Sequence, residues 1–402
     1  MIKRTLQELC LNITDGKHGD CENEGNSGYY FISCKDIFDG QINYKNARQI
    51  TKADFEETHK RTMLEVDDIL LTNSGTIGRM AFVTDREATT KTTFQKSVAI
   101  IKPDKQKVLP RYLYYQLQNC VPQFINSSNG SAQKNLLLST MRTFQIEIEE
   151  NREKQEKIAN TLSAYDDLIE NNQKQIKLLE EAAQRLYKEW FVDLRFPGHE
   201  NTKIADGVPE GWNWCKLEDA IQLDPKVTLT KERMKQFIPM SALSTSSMVL
   251  DESQFTETTS NSGSKFQNGD TLLARITPCL ENGKTAYVSG LKSSEGAVGS
   301  TEYIVMRAKT INAYMVYLLA RTDDFRQSAI NSMSGSDGRQ RVKSDKLKML
   351  DYLHPTSELV EKFENVEEPI FEKIYRLSKQ MQQAKQARDL LLPKLMSGEV
   401  EV

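Results

Sequence analysis

The feature that most constrains this 402-residue chain is an internal duplication. The segments Asp68–Thr72 and Gly78–Val83 return as Asp270–Ala274 and Gly283–Val288, and Tyr112 and Tyr115 return as Tyr314 and Tyr317. The offsets between these pairs run only from 202 to 205 positions, and chance does not hold a register for so long. Because that period far exceeds those of solenoid repeats, we infer two copies of one folding unit.

Each copy opens with a stretch of mixed pattern. Short β-rich runs at residues 97–101 and 302–306 are separated from their neighbours by Asn, Gly and Ser, which favour turns. Helical segments are predicted at residues 111–119 and 313–321. Because strands and helices do not alternate strictly, the predicted fold class is α+β, arranged as a pseudo-twofold internal repeat.

A long helix with a coiled-coil seam closes each copy. The first seam has alternating spacings of four and three residues: Ile158, Leu162, Tyr165, Ile169, Asn172, Ile176, Leu179, Ala183, Leu186 and Trp190. A hydrophobic period of 3.5 residues over several heptads is typical of coiled coils. The tripeptide Phe196-Pro197-Gly198 is predicted to stop the first helix.

Adding 205 to each of these positions gives the second seam: Phe363, Glu367, Ile370, Ile374, Leu377, Met381, Ala384, Arg388, Leu391 and Leu395. The shared register favours an antiparallel intramolecular coiled coil, with Ile169 close to Ile374 and the two globular regions at opposite ends. The alternative is a pair of unrelated amphipathic helices, each lying on its own core. Asn172 either fixes the register of the pair or faces water; the sequence leaves both open.

Composition excludes several classes of protein. The net charge is −3, from 53 basic and 56 acidic residues, so charge alone does not predict nucleic-acid binding. Six cysteines without a Cys-x-x-Cys pair, and four scattered histidines, disfavour a disulfide framework and a metal site. No signal core or long apolar run occurs, and we expect a cytoplasmic protein. Without a glycine-rich phosphate fingerprint, a Glu-x-Lys nuclease motif or an amino-methyltransferase tetrad, we expect binding rather than catalysis.

Five stretches carry a more specific pattern: Glu156–Asn172, Leu186–Val192, Val208–Trp212, Ala274–Lys284 and Ala387–Gly398. In this order they resemble the conserved regions and recognition-domain motifs of specificity subunits from type I restriction–modification enzymes. The resemblance covers essentially the whole chain. One departure is that the first copy opens directly at Thr5–Leu9, without the Pro-x-Gly-Trp motif found at Pro209–Trp212, which leaves its N-terminal boundary open.

The resemblance implies two similar α/β target recognition domains separated by two long helices. Its boundaries would be 1–149 for the first recognition domain, 150–196 for the central conserved helix, 197–355 for the second recognition domain and 356–402 for the C-terminal helix. It further implies a non-catalytic subunit for host defence that recognises bipartite double-stranded DNA, with the coiled coil setting the spacer. Two modification subunits would bind S-adenosylmethionine and methylate adenine. Restriction subunits would use ATP and Mg, and the chain itself would bind no cofactor and no metal.

Polar loops that recur in both copies are the candidate DNA contacts, because Lys, Arg, Ser, Thr, Asn and Gln supply phosphate and base hydrogen bonds. They are Lys17, His18, Ser74, Thr76, Arg79, Lys91, Gln133 and Lys134 in the first copy, and Lys226, Arg275, Asn282, Lys284, Arg339, Arg341 and Lys343 in the second. For each residue the alternative is a solvated loop. The matching pair Asp68 and Asp270 is interpreted as turn residues before strands.

Two other functions stay open at this point. One is a non-catalytic scaffold that holds two protein partners at a fixed spacing. The other is an enzyme whose site has no familiar motif. The near-neutral charge leads us to expect weak DNA binding by the chain alone, with partner subunits supplying much of the affinity.

Overall fold

The computed structural model describes residues 1–84, 86–128, 134–335 and 338–401. The chain divides into two compact units, Met1–Asp167 with Ala384–Val402, and Leu168–Gln383. Each unit contains one mixed α/β region and one end of each of two long helices.

The first α/β region is built mainly on one four-stranded and one three-stranded sheet, with two smaller strand pairs beside them. Its strands are β1 (Ile2–Thr5), β2 (Cys10–Asp15), β3 (Tyr30–Ile32), β4 (Ile37–Phe38), β5 (Gln41–Ile42), β6 (Arg48–Gln49), β7 (Ile69–Thr72), β8 (Met80–Phe82), β9 (Thr92–Phe94), β10 (Val98–Pro103) and β11 (Gln145–Ile148). Its helices are α1 (Lys52–Thr62), α2 (Pro110–Asn119), α3 (Val121–Asn126) and α4 (Leu138–Thr143). An antiparallel sheet has the order β2-β10-β7-β8, and a second sheet, β6-β3-β9, pairs β3 with β9 in parallel.

Strand β7 shows how this region packs. Successive side chains of a strand point to opposite faces of its sheet. Ile69 and Leu71 therefore share one core with Tyr112 and Tyr115 of α2, while Leu70 joins a separate core. This four-residue strand is buried on both faces, which explains its continuous apolar run.

The first long helix, α5 (Arg152–Tyr187), continues through a π-helical turn at Lys188–Val192. It ends before the predicted stop at Phe196-Pro197-Gly198. Leu194 adopts a left-handed conformation with φ 57°, and the Arg195 amide donates to the Glu189 carbonyl at 2.7 Å. The Arg195 guanidinium also pairs with the Glu189 carboxylate at 2.5 Å, so a local polar closure terminates the helix.

The second α/β region repeats the first. Its strands are β12 (Ile204–Ala205), β13 (Val208–Pro209), β14 (Asn213–Lys216), β15 (Ile221–Leu223), β16 (Lys235–Ile238), β17 (Thr256–Thr258), β18 (Ser264–Phe266), β19 (Thr271–Ala274), β20 (Thr285–Tyr287), β21 (Ala297–Gly299), β22 (Tyr303–Ala308) and β23 (Asp351–His354). Its helices are α6 (Leu217–Ala220), α7 (Ala313–Arg321), α8 (Asp323–Asn331) and α9 (Ser344–Lys348), and α10 (Ser357–Ser397) is the second long helix.

The order β15-β22-β19-β20 repeats β2-β10-β7-β8 strand for strand, and β16 pairs with β21 in parallel as β3 does with β9. The predicted duplication and the α+β class are therefore confirmed. So are the predicted strands, which become β10 and β22, and the predicted helices, which become α2 and α7.

The two long helices pair with each other. All twenty predicted seam positions are buried or half-buried. In the first unit, Ile158 and Leu162 of α5 share a core with Leu395 near the end of α10. In the second unit, Ile176 near the other end of α5 shares a core with Phe363 near the start of α10. The helices therefore run antiparallel, and the alternative of two unrelated helices is wrong.

The register of the pair is fixed by a polar contact. Asn172 is only 2% exposed, and its amide donates to the Gln380 side-chain oxygen at 3.2 Å. Asn172 therefore faces the partner helix and not water. This register places Ile374 beside Leu179, about 15 Å along the helix from Ile169 at 1.5 Å per residue. The prediction that Ile169 lies close to Ile374 is therefore wrong. In an antiparallel pair, a residue before the midpoint of one helix lies beside a residue after the midpoint of the other, so equivalent positions of the two helices do not generally meet.

The polar residues in the second seam have opposite environments. Arg388 donates to Asp166 at 2.7 Å, and the Tyr115 hydroxyl donates to the other oxygen of that carboxylate at 2.6 Å. Glu367 is fully buried, and neither carboxylate oxygen has a hydrogen-bond partner among the described residues. Burial raises the pKa of Glu367 to about 7. The corresponding position of the first helix holds the fully buried Leu162.

We predict that Glu367→Gln stabilises the second unit in a pH-dependent way. A carboxyl with a raised pKa in the folded state destabilises that state as pH rises from about 4.5 to about 7. The substitution should thus raise the free energy of unfolding only slightly at pH 4.5 and by about 3 kcal/mol at pH 8, because each pKa unit corresponds to 1.36 kcal/mol. Urea unfolding followed by tryptophan fluorescence checks this, because Trp190, Trp212 and Trp214 are the three tryptophans and all lie in this unit.

The control is Glu368→Gln, which changes an exposed neighbour on the same helix. This substitution should change the free energy of unfolding by nearly the same amount at pH 4.5 and at pH 8. Equal effects of the two substitutions on the free energy of unfolding at pH 8 would show that the Glu367 carboxylate is solvated and has an ordinary pKa.

Candidate nucleic-acid interface

A buried ion pair anchors the turn that leads into β7, a strand of the four-stranded sheet of the first region. Asp68 accepts from the Glu65 amide at 2.9 Å, closing a turn, and from Lys102 of β10 at 2.7 Å. The Asp68 side chain is 5% exposed, and burial raises its pKa to about 6 although Lys102 acts in the opposite direction. Asp68 is thus the turn residue that the sequence predicted, with an added structural role at the start of β7.

The second region repeats this anchor. Asp270 accepts from the Gln267 amide at 2.8 Å, and Arg307 donates to both of its carboxylate oxygens at 2.6 and 2.7 Å. Arg307 follows Lys102 by 205 positions, so the pair belongs to the duplicated plan. It fixes the start of β19, the strand that leads into Arg275.

In the first region, the loop after β7 brings together several predicted residues. Ser74 forms a β-bridge with Asn135, and the Leu136 amide donates to the Asn73 carbonyl at 2.8 Å. The exposed Lys134 precedes this bridge. Thr76 and Arg79 are exposed on the same loop, and the Arg79 amide donates to the Thr72 hydroxyl at 2.9 Å.

Two predicted residues of the first region already have acidic partners. Lys17 contacts Asp54 at 2.8 Å and Glu57 at 3.0 Å, and the hydrogen bond to Asp54 is the main cause of its raised pKa. His18 contacts Asp15 at 3.0 Å. Both are therefore weaker candidates for phosphate than their sequence suggests.

Lys91 presents a different case. It is exposed at the end of the 3-10 turn Thr89–Lys91 and has no side-chain partner within the described residues. Gln133 lies outside the described residues.

In the second region, the segment containing Arg339, Arg341 and Lys343 lies against the end of β19. Ile276 forms a β-bridge with Arg341, and the Val342 amide donates to the Arg275 carbonyl at 2.9 Å. The Arg275 side chain returns two hydrogen bonds to the Val342 carbonyl, at 3.1 and 2.9 Å. Arg275 therefore holds this segment in place.

Arg341 is less available than its basic surroundings suggest. Its guanidinium binds both oxygens of Glu302, with the shortest contact at 2.7 Å, and this pairing holds the pKa of Glu302 below its usual value. Glu302 was missed at the sequence level because 39 residues separate the two. By contrast, Arg339 and Lys343 are exposed and have no side-chain partner in the parts of the chain that the structure describes.

The remaining predicted residues of the second region differ in role. The Lys284 side chain donates to the Met240 carbonyl at 3.0 Å. The Asn282 amide N–H donates to the Pro278 carbonyl at 2.9 Å, and the Asn282 side chain is exposed. Lys226 and Arg275 line one cavity, together with Lys265, which sequence reasoning missed. A single lysine in a serine- and glycine-rich stretch gives no motif, so only the fold could reveal it.

No group of three or more His, Cys, Asp or Glu side chains among the described residues could hold a metal ion. No helix in the same ranges is long and apolar enough to span a membrane.

The fold and the loops define a class of duplicated protein. Its two α+β regions present polar loops and share a pair of long helices. Residues 5–181 match the family model described as the type I restriction modification DNA specificity domain. Similar proteins include the type I restriction enzyme MjaIX specificity subunit of Methanocaldococcus jannaschii, 28% identical over 386 residues that cover 92% of this chain and 87% of that protein. The EcoAI specificity subunit of Escherichia coli is 35% identical over 140 residues, covering 34% of this chain and 24% of that protein.

The fold itself also has a solved counterpart. The type I restriction–modification S subunit from M. genitalium superposes with a TM-score of 0.59 at 16% identity, covering 98% of this chain and 95% of that one. The first part of this chain thus matches a type I specificity domain, and nearly the whole chain is similar to a type I specificity subunit.

We predict that Asp270→Ala strongly destabilises the second unit. The substitution strands the Arg307 guanidinium, only 20% exposed, without its carboxylate. Removing one partner of a buried pair typically costs about 3–5 kcal/mol. Tryptophan fluorescence during urea unfolding measures the loss.

Asp345→Ala serves as the matched control, since it breaks the exposed pair with Lys348 and should cost under about 1 kcal/mol. A comparable small cost for both variants would mean that the Asp270–Arg307 pair does not hold β19.

Proposed function

We propose that this chain is a non-catalytic reader of bipartite DNA, each α/β region contacting one half of the target. The observation that carries the proposal is the strand-for-strand repetition of one region, each copy folded with one end of the same antiparallel helix pair. Two repeated readers in one chain suit a target of two half-sites separated by unread bases, as dimeric proteins do with paired half-sites.

The distribution of cations supports DNA as the ligand. Lys91 and Lys134 in the first region are exposed without a side-chain partner among the described residues, as are Lys226, Arg339 and Lys343 in the second. Unpaired cations on loops can replace the counterions of DNA phosphates. The net charge of −3 limits the affinity of the chain alone, so we expect partner subunits to contribute much of the binding.

Those partners, in this proposal, are two modification subunits and the restriction subunits. The modification subunits bind S-adenosylmethionine and methylate adenine, and the restriction subunits use ATP and Mg. The chain contributes the choice of sequence and a docking surface, and none of the reacting groups. We place its action in the cytoplasm, where the DNA of a host cell is reached.

Methylome sequencing tests this assignment directly. The chain is expressed with its cognate modification subunit in a host that lacks other adenine methylation. The proposal expects one two-part methylated motif with a fixed unread gap. Methylation that is absent, or confined to one continuous motif, would contradict it. Retention of the modification subunit without any binding to duplex DNA would favour the scaffold function instead.

We predict that Lys343→Gln weakens DNA binding by the complex and flattens its salt dependence. Each lost phosphate contact should reduce the slope of log K against log salt by about 0.9. Arg341→Gln should change the slope less, because Glu302 already holds its guanidinium. Affinity measured across a salt series gives both slopes.

Lys362→Gln is the control, since that exposed lysine pairs with Glu358 on α10. It should leave the slope unchanged. A larger effect for Arg341 than for Lys343 would contradict the ranking that the ion pair implies.

A further inference from the structure

The second α/β region contains an open cleft. The cleft encloses about 460 Å³ and lies between the segment after β15, the start of β18 and the adjoining ends of β19 and β22. Its lining residues are Asp224–Thr228, Gly263–Lys265, Arg275, Tyr303 and Val305. This volume falls in the range of ligand sites and would admit a nucleotide-sized group.

The charge of the cleft is positive. Three cations, Lys226, Lys265 and Arg275, line it against one carboxylate, Asp224. That carboxylate is engaged, because it accepts from the Val305 amide at 3.0 Å and from the Ser344 hydroxyl. Lys226 and Lys265 have no side-chain partner in the described ranges, and the Arg275 guanidinium bonds only to the carbonyl of Val342. The cleft therefore presents uncompensated charge to an anion.

The backbone around the cleft is closely constrained. Gly263 has φ +118°, and a Cβ there would lie 2.2 Å from the Gly299 carbonyl oxygen, so no other residue fits without a shift. The Ser264 hydroxyl donates to the Tyr303 carbonyl at 3.2 Å. These contacts fix the strand that carries Lys265, so this lysine extends from a defined edge and not from a loose loop.

The first region supplies an internal comparison. Lys17 follows β2 by two residues, as Lys226 follows β15 by three, but Lys17 is bound by Asp54 and Glu57 of α1. Helix α1 packs on β9, whereas the counterpart of β9, β21, pairs with β18. Replacement of a helix that bears two carboxylates by a strand that bears Lys265 leaves the corresponding cation uncovered in the second region.

We propose that this cleft holds a backbone phosphate of the target DNA strand, with Lys226 and Lys265 contacting its oxygens. The inference rests on the proposed DNA-reading function. It adds that the second region supplies an electrostatic anchor at this cleft. Because phosphate contacts position a protein and do not read bases, the anchor sets affinity and register but not the recognised sequence.

The test compares the double variant Lys226→Gln/Lys265→Gln with wild type, each as the full chain assembled with its modification subunit. We expect at least a tenfold rise in Kd at moderate salt and a salt slope reduced by about 1–2. The methylated motif should stay the same. Phosphate ethylation interference should lose one blocking position, located in the half-site read by the second region.

Lys362→Gln on α10 is again the control. That exposed lysine lies outside the cleft, so Kd and salt slope should stay at wild-type values. Equal thermal unfolding midpoints establish that the variants are folded. Unchanged Kd and slope in the double variant, with an unchanged methylated motif, would overturn the anchor and leave the proposed function standing. Failure of the wild-type complex to bind DNA would instead remove the proposed function.

A free nucleotide is the other source of the same phosphate chemistry. Titration calorimetry of the full chain with AMP, and separately with inorganic phosphate, distinguishes it. We expect no binding of either at micromolar concentration, because one phosphate lacks the other contacts that DNA makes. Micromolar AMP binding that the double variant abolishes, without a change in its DNA salt slope, would identify a nucleotide site and overturn the DNA anchor.

Discussion

The antiparallel pairing of α5 and α10 is the constraint on which the rest of the structure depends. Each α/β region completes its core on this pair: Ile158 and Leu162 join the first core, and Ile176 and Phe363 join the second. The heptad seam stabilises the pair through apolar burial, but apolar contacts alone would tolerate a slip by one heptad. The contact between the buried Asn172 amide and Gln380 opposes such a slip, because a slip breaks this hydrogen bond.

The duplication has diverged most where polar groups meet the helix pair. In the first unit, Tyr115 and Arg388 converge on Asp166. In the second, the residue equivalent to Asp166 is Phe371, whose ring packs against Tyr317, the equivalent of Tyr115, at 5.8 Å. The first unit thus joins its α/β region to the helix pair through an ion pair, and the second unit does so through aromatic rings.

A second divergence concerns the surface. The exchange of α1 for β18 compensates a lysine in one region and exposes its counterpart in the other. Both copies keep the buried ion pair of Asp68 or Asp270, which holds the strand before the candidate loops. A shared frame with divergent loops suits the proposed reader of two unlike half-sites.

The sequence predicted the fold well because its signals are local or periodic. The offset near 205 predicted two similar regions, and the heptads predicted which faces of the helices are buried, including the half-buried Tyr165 and Met381. It could not predict which cations are compensated. Lys17 meets Asp54 and Arg341 meets Glu302 only after the chain folds, since these pairs are 37 and 39 residues apart.

The same limit explains the two errors in the helix analysis. An equal offset does not mean contact, so Ile169 and Ile374 are equivalent but not adjacent. The end of α5 depends on Leu194 and Arg195, whose closure has no periodic signature. The hydrophobic pattern is enough to predict which residues of the helices are buried. Predicting which residues contact each other across the two helices also requires the register of the pair.

Cross-linking tests the central claim, that the two helices pair antiparallel within one chain. Asp166→Cys and Arg388→Cys are combined in a chain whose partly exposed Cys34, Cys215 and Cys279 are changed to serine, and the protein is treated with a short bis-maleimide under native conditions. The account predicts a cross-link between positions 166 and 388 in a species of single-chain mass. A cross-linked dimer, or two singly modified thiols at these positions in folded protein, would contradict it.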